Sequence, residues 1–200
     1  PVHVRSEREV RPAVRFPVEV SPDTFRARML RWVSPSPDGK RVVFQALGRL
    51  WLRGLDGGEP KALTEQKDHW ELYPAWSRDG RRLAYVTWHD DELGSVRVRS
   101  LDDGTEQIVT REPGHYLEPA FSPDGSRVVY RKTGGGYILS GFWSMNPGLY
   151  TVPADGSAEP TRVLDHGFGP HFGDDDERLF FTDFGDSGLG LHSVELDGND

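Results

Sequence analysis

Serine, histidine and acidic residues occur in this chain in several patterns that could do chemistry, and each pattern demands a particular setting. Gly185-Asp186-Ser187-Gly188 imitates a serine nucleophile motif of the trypsin type, which works only with a buried base beside the serine. It falls between two strand patterns, where a turn is expected. Asp174-Asp175-Asp176-Glu177 offers hard oxygen ligands of the kind Ca²⁺ takes, but lacks the alternating spacing of an EF-hand loop. Gly134-Gly135-Gly136 would let backbone approach a phosphate, yet neither a Gly-Lys-Ser/Thr ending nor a helical pattern follows, so a hinge is expected. The seven His include no His-Glu-x-x-His pair, and no Gly-x-Ser-x-Gly elbow is present. The absence of Cys excludes disulfides, thiolate metal sites and cysteine nucleophiles. The expectation is a segment with no catalytic residue, no metal and no cofactor of its own.

What positions these residues is a repeat. Ser36-Pro37-Asp38-Gly39, Ser77-Arg78-Asp79-Gly80 and Ser122-Pro123-Asp124-Gly125 superpose at steps of 41 and 45 residues. Each is followed by an apolar run: Val42 to Phe44, Leu83 to Tyr85, Val128 to Tyr130. A degenerate fourth copy, Phe172 to Asp176, lies 51 residues further on, with Leu179 to Phe181 as its run. The 23 Gly and 15 Pro among 200 residues disfavour long helices and suit short strands joined by tight turns. A period of roughly 40 to 50 residues without helical pattern indicates propeller blades. The fold class expected is all-β, a β-propeller of four-stranded antiparallel blades. Four blades are visible, at about 30–66, 67–111, 112–165 and 166–200, the last incomplete, as part of a larger six- or seven-bladed ring. Residues 1–29 form an N-terminal arm. That arm could close a small ring through Ala13 to Val20 or Pro1 to Val4. The favoured expectation is that the chain is an excerpt, since it begins at Pro1 and its last blade lacks an outer strand.

Within each unit a second turn, at Asp56-Gly57, Asp103-Gly104, Asp155-Gly156 and Asp197-Gly198, separates the third and fourth strands. An up-and-down meander then puts the two regular turns of every blade on one face of the disc and the remaining loops on the other. The loops of the second face are unequal: 47–49, 88–95, 133–148 and about 184–189. Unequal loops on a rigid scaffold are where binding sits. Trp76, Phe121, Phe172, Phe44, Tyr85, Tyr130 and Phe181 recur at equivalent strand positions and are expected between blades. The candidate binding residues are Trp70, His89, His115, Tyr116, Tyr137, Phe142 and Trp143, in or beside loops of the second face. The sixteen-residue connection 133–148 is expected either to dock on a partner through Tyr137 and Trp143 or to fold back over its own propeller. His69 and His166 fall in loops of the same face, with His171 close to it.

The net charge of −8 makes nucleic acid an unexpected partner. Residues 1–31 carry +3, leaving −11 for the rest. No apolar run approaches the roughly 18 residues of a membrane span, so no membrane insertion is expected.

The Tyr73 to Gly80 and Glu118 to Gly125 segments, x-Pro-x-[Trp/Phe]-Ser-x-Asp-Gly, resemble the TolB-like β-propeller repeat. Met29 to Trp32, Ala84 to Trp88, Gly114 to Gly125 and the Tyr130 to Pro147 insertion are similar to the propeller half of large bacterial amidohydrolases. The similarity runs from about Val14 to Phe181. It implies a propeller preceding a metal-dependent (β/α)₈ domain in an exported, periplasmic or secreted protein. The His-x-His signature of that domain occurs nowhere here, so none of its ligands carries over. The resemblance therefore implies a non-catalytic propeller that packs on or gates a hydrolase domain outside this segment, the partner being that catalytic domain or another protein. Two rival readings are a periplasmic TolB-type interaction scaffold and the propeller of a prolyl-oligopeptidase-like serine peptidase.

Overall fold

The computed structural model of the chain describes residues 2–5, 7, 26–135, 144–185 and 188–196. Every regular element among them is a β-strand. The first sheet contains β1 (Arg31–Pro35), β2 (Arg41–Ala46), β3 (Arg49–Gly54) and β4 (Gly57–Ala62). The second contains β5 (Trp70–Trp76), β6 (Arg82–His89), β7 (Leu93–Ser100) and β8 (Glu106–Ile108). The third contains β9 (His115–Phe121), β10 (Arg127–Thr133), β11 (Gly148–Pro153) and β12 (Thr161–Leu164). The fourth contains β13 (Phe168–Phe172), β14 (Arg178–Gly185) and β15 (Gly188–Glu195). Each sheet is an antiparallel meander with its strands in sequence order. The first strands pack side by side, β1 on β5, β5 on β9 and β9 on β13.

The repeated turn is built by side-chain chemistry. Ser36 Oγ accepts from the Arg41 N–H at 2.9 Å and donates to Asp38 Oδ1 at 2.5 Å, while Asp38 accepts from Lys40 N at 3.0 Å. Ser77, Asp79 and Arg82 repeat the pattern, as do Ser122, Asp124 and Arg127. Glycine closes each turn at positive φ, +67° at Gly39, +70° at Gly80 and +72° at Gly125. The fourth copy has Gly173 in place of the serine, and Asp175 Oδ1 takes the N–H groups of Glu177 and Arg178. Asp174 to Glu177 is thus a hairpin turn, and Asp176 Oδ1 accepts from the Asp124 N–H of the neighbouring sheet at 2.9 Å.

In all four sheets the residue after the third strand donates to the first turn: Leu55 to Lys40, Leu101 to Arg81, Ala154 to Ser126 and Leu196 to Glu177. The two regular turns of each of the first three blades therefore share one face, the turn face, and the remaining connections form the loop face.

The core lies between sheets rather than within one. Val43, Leu50, Leu83 and Tyr85 fill the space between the first and second sheets. Val96, Tyr116, Val128 and Tyr130 fill that between the second and third. Val129, Leu149, Phe172 and Leu179 fill that between the third and fourth. On β10, Val128 and Tyr130 face one neighbour while Val129 faces the other, which is why the strand reads as an unbroken apolar run. Arginines clasp neighbouring blades near the turn face. The Arg41 guanidinium lies 5.1 Å from the Trp76 ring centre and donates to Gly80 O at 2.7 Å, and Arg82 lies 5.3 Å from Phe121.

Each innermost strand carries a bulge. Trp32, Tyr73, Glu118 and Gly169 have φ of +46°, +52°, +55° and +62°, and each stands four residues before the turn residues Ser36, Ser77, Ser122 and Gly173. The strand register shifts at each of them. A left-handed non-glycine residue costs about 1–2 kcal/mol, and contacts between blades offset it. The Trp32 ring sits 4.3 Å from Tyr73, and Glu118 Oε2 accepts from the Gly169 N–H at 2.7 Å.

Candidate functional site: the loop face

On the loop face the connections 63–69 and 109–114 flank the end of the second sheet and enclose a polar cavity of about 470 Å³. Thr87, Ser95 and Arg97 form its wall, and His89 and Glu92 stand at its rim. A neighbouring cavity of about 280 Å³ lies between Leu47, Lys67 and Trp70. The 47–48 connection is a two-residue hairpin turn with φ of +55° at Leu47 and +78° at Gly48, the pattern that favours Asn-Gly. Leu47 is nonetheless 62% exposed and Trp70 54% exposed. The Trp70 ring lies against the Gly48 backbone, where a β-carbon would collide with it. Leu47→Asn is expected to raise stability by about 1 kcal/mol by relieving the left-handed leucine; denaturant unfolding checks this, and an unchanged midpoint would contradict it.

The sequence candidates fall into three groups. Trp70 opposes Trp88 across β5 and β6, the Trp88 ring meets His115 edge-on at 5.4 Å, and His115 Nδ1 lies 3.2 Å from Thr133 Oγ1. His89 Nδ1 accepts the N–H groups of Asp91 and Glu92, which shapes the 90–92 connection. Trp70, His89 and His115 thus share the loop face. Tyr116 is turned inward at 2% exposure, with its hydroxyl donating to Glu112 O at 2.6 Å. Tyr137, Phe142 and Trp143 lie outside the described residues, as do Asp186 and Ser187 of the serine-like motif, whose flanking Gly185 and Gly188 pair across β14 and β15.

Two buried charged groups were not singled out from sequence. Glu71 has no exposed surface. Its Oε2 accepts from Leu50 N at 2.7 Å, and its Oε1 accepts from Thr64 Oγ1 and from Gln66 Nε2 at 3.1 Å, joining the start of β5 to the first sheet. Lys132, 5% exposed, projects from the same face of β10 as Val128 and Tyr130. Its place in that inward alternation was the available signal.

The electrostatics of the site favour the neutral imidazole at His69 and His115. Burial, then the Arg97 cation, holds His69 below its ordinary pKa of 6.5 against the opposing pull of Asp68. Burial, then Arg131, does the same to His115. A base with a lowered folded pKa binds fewer protons folded than unfolded, so its contribution is present above 6.5 and declines as pH falls below that value. The turn carboxylates add a second window. Asp124, held by Ser122 and Ser126, and Asp103, held by Ser100 and Thr105, are both lowered to about 2. Their contribution is present above the unfolded carboxylate range and is lost as pH falls through about 2. Thermal unfolding is expected to show stability falling first below about pH 6.5 and again below about 4. A His69→Gln variant should make the first window shallower, leaving the share of His115, and unchanged stability of the unsubstituted protein between pH 7 and 5 would contradict this. Among the described residues no three His, Asp or Glu side chains come together as a metal-binding group.

The architecture has solved counterparts. A putative TolB from Agrobacterium tumefaciens matches 89% of the chain and 66% of its own, with a TM-score of 0.66 at 22% identity. The fold is a TolB-like β-propeller. No protein-family model matches the chain. Among curated proteins, Dipeptidyl-peptidase 5 of Porphyromonas endodontalis is 37% identical over 108 residues, covering 48% of this chain and 15% of that protein. The Tol-Pal system protein TolB of Francisella tularensis is 28% identical over 109 residues, covering 52% of this chain and 24% of that protein. The matched stretches therefore span a quarter or less of the length of these two relatives. No helix among the described residues is long and apolar enough to cross a membrane.

Proposed function

We propose that this chain is a non-catalytic recognition module, a TolB-like propeller whose loop face engages a catalytic domain of the same protein or a separate protein. The observation that carries this reading is the asymmetry of the two faces. The turn face repeats one Ser-Asp hydrogen-bonded turn, whereas the loop face has unequal connections, a cavity of about 470 Å³ and the exposed Leu47 and Trp70. Exposed aromatics beside a polar recess are the anatomy of a protein-binding surface.

The resemblance of Gly114 to Gly125 to amidohydrolase propellers supports a metal-dependent hydrolase as the domain engaged. The similarity to Dipeptidyl-peptidase 5 favours a second reading, in which the module covers a serine peptidase and filters its substrates. The resemblance to exported families and the similarity to TolB proteins support a place outside the cytoplasm, in the periplasm or secreted. Assays of the purified chain on amide, ester and peptide substrates, with and without divalent metal, are expected to show no turnover. Metal-dependent turnover that disappears in His115→Ala or His171→Ala would overturn the non-catalytic reading.

A further inference from the structure

Between the second and third sheets lies a smaller cavity of about 150 Å³, lined by Tyr116, Tyr130, Tyr150 and Lys132, with Arg111 and Glu112 at its mouth. Tyr116 meets Tyr130 edge-on at 5.4 Å, and Tyr130 stacks on Tyr150 at 5.8 Å. The hydroxyls of Tyr116 and Tyr150 are anchored on Glu112 O and Asn146 O, which fixes the walls. At the floor the Lys132 ammonium lies 6.0 Å from the Tyr116 ring centre and 5.9 Å from that of Tyr150. Gly114 lets this group approach: a β-carbon there would stand 3.2 Å from Lys132 Cε and 3.1 Å from Ser144 Oγ. Ser144 Oγ is itself buried without a hydrogen-bond partner among the described residues.

The distribution of charge is what makes the cavity informative. Lys132 is 5% exposed, yet its partner Glu112, at 2.8 Å, is 68% exposed. Arg111 at the mouth is paired in the same way with Glu159, which is 77% exposed. A buried ammonium needs a counter-charge, but an ion pair whose acid stands in water contributes little and exchanges easily. We propose that Glu112 and Glu159 are place-holders, and that the cavity is a subsite for the carboxylate of an acidic side chain.

Size and charge narrow the source. At roughly 30 Å³ per water the cavity holds about five waters, enough for a carboxylate with one or two methylenes and too little for a sugar or nucleotide. A carboxylate has to meet a chain of net charge −8, and a docked segment offsets that repulsion with its other contacts, so the source assigned is a side chain of such a segment. Arg111 and Glu112 line both this cavity and the larger one of the loop face, so a segment lying in the larger recess can insert a Glu or Asp into the smaller. Naming a protein as the source rests on the recognition-module reading; the carboxylate preference does not.

The test is an NMR titration of protein with ¹³C-labelled tyrosine rings, using N-acetylglutamate α-amide as probe and N-acetylglutamine α-amide as its neutral isostere. The acid is expected to shift the Tyr116 and Tyr150 signals saturably and the isostere not at all. Glu112→Gln, which removes the internal competitor, is expected to bind the acid roughly two- to five-fold more tightly, the range set by a solvent-facing ion pair. Lys132→Met is expected to abolish binding, and if that variant fails to fold, the Glu112→Gln comparison decides alone. Equal affinity in the unsubstituted protein and Glu112→Gln, or no saturable shift in either, overturns the subsite. Tighter binding of N-acetylglycine than of the capped glutamate overturns the side-chain assignment in favour of a chain terminus. If the acid binds as expected while loop-face substitutions leave partner association unchanged, the subsite stands and the module reading falls. Partner association that depends on Trp70 with no effect of Glu112 does the reverse.

Discussion

Replacing Glu71 by alanine is expected to destabilise the protein by about 3 kcal/mol or more, since a buried donor left without an acceptor costs roughly 1–3 kcal/mol. Three donors depend on this carboxylate: the Leu50 N–H, the Thr64 hydroxyl and the Gln66 amide. All of them belong to the first blade or the connection leaving it, whereas Glu71 opens the second, so the loss falls on the joint between blades. Glu71→Gln keeps the volume and one acceptor oxygen but turns an NH₂ group toward one of the former donors, and is expected to cost about half as much. Urea unfolding reads both, and hydrogen exchange at Leu50 and Leu63 localises the effect. Leu63 N donates to Leu50 O, so both amides should lose protection together. An unfolding midpoint unchanged by Glu71→Ala would show that the carboxylate carries no stability.

The second large effect concerns binding. Trp70→Ala is expected to weaken association at the loop face by about 2 kcal/mol, roughly thirty-fold in Kd, as for an aromatic hot spot. Its cost in stability should stay below about 1 kcal/mol, because the ring is 54% exposed and rests on the Gly48 backbone rather than in the core. Arg78→Ala, in the exposed turn on the opposite face, serves as the control and should change neither. Equal affinities for Trp70→Ala and the unsubstituted protein would remove Trp70 from the interface.

Much of the fold was legible because one local device recurs. Ser36, Ser77 and Ser122 each bond an aspartate two residues on and an arginine N–H five residues on, so the turn and the strand it starts are encoded within six residues. The aromatic residues after those turns follow from the same spacing: Phe44, Tyr85 and Tyr130 are buried at 8%, 0% and 2% exposure. The facing of side chains at the start of the inner strands was not legible. Counting alternately back from Phe121 and Trp76 puts Pro119 and Pro74 inward and Tyr116 and Glu71 outward. Pro119 and Pro74 are buried as counted, but the bulges at Glu118 and Tyr73 add a residue and reverse the phase beyond them, so Tyr116 and Glu71 are buried as well. Nothing in the composition of these strands announces a left-handed tyrosine or glutamate, because contacts between blades hold them there.

Photo-crosslinking from single positions on each face tests whether the loop face is the working surface. A photoreactive residue placed at Trp70, His89 or Glu92 should give adducts that mass spectrometry resolves to one defined peptide, from a catalytic domain or a partner protein. The same residue at Asp56, Arg78 or Asp103 on the turn face should give none. Defined adducts from the turn-face positions, with none from the loop face, would make the turn face the working surface instead.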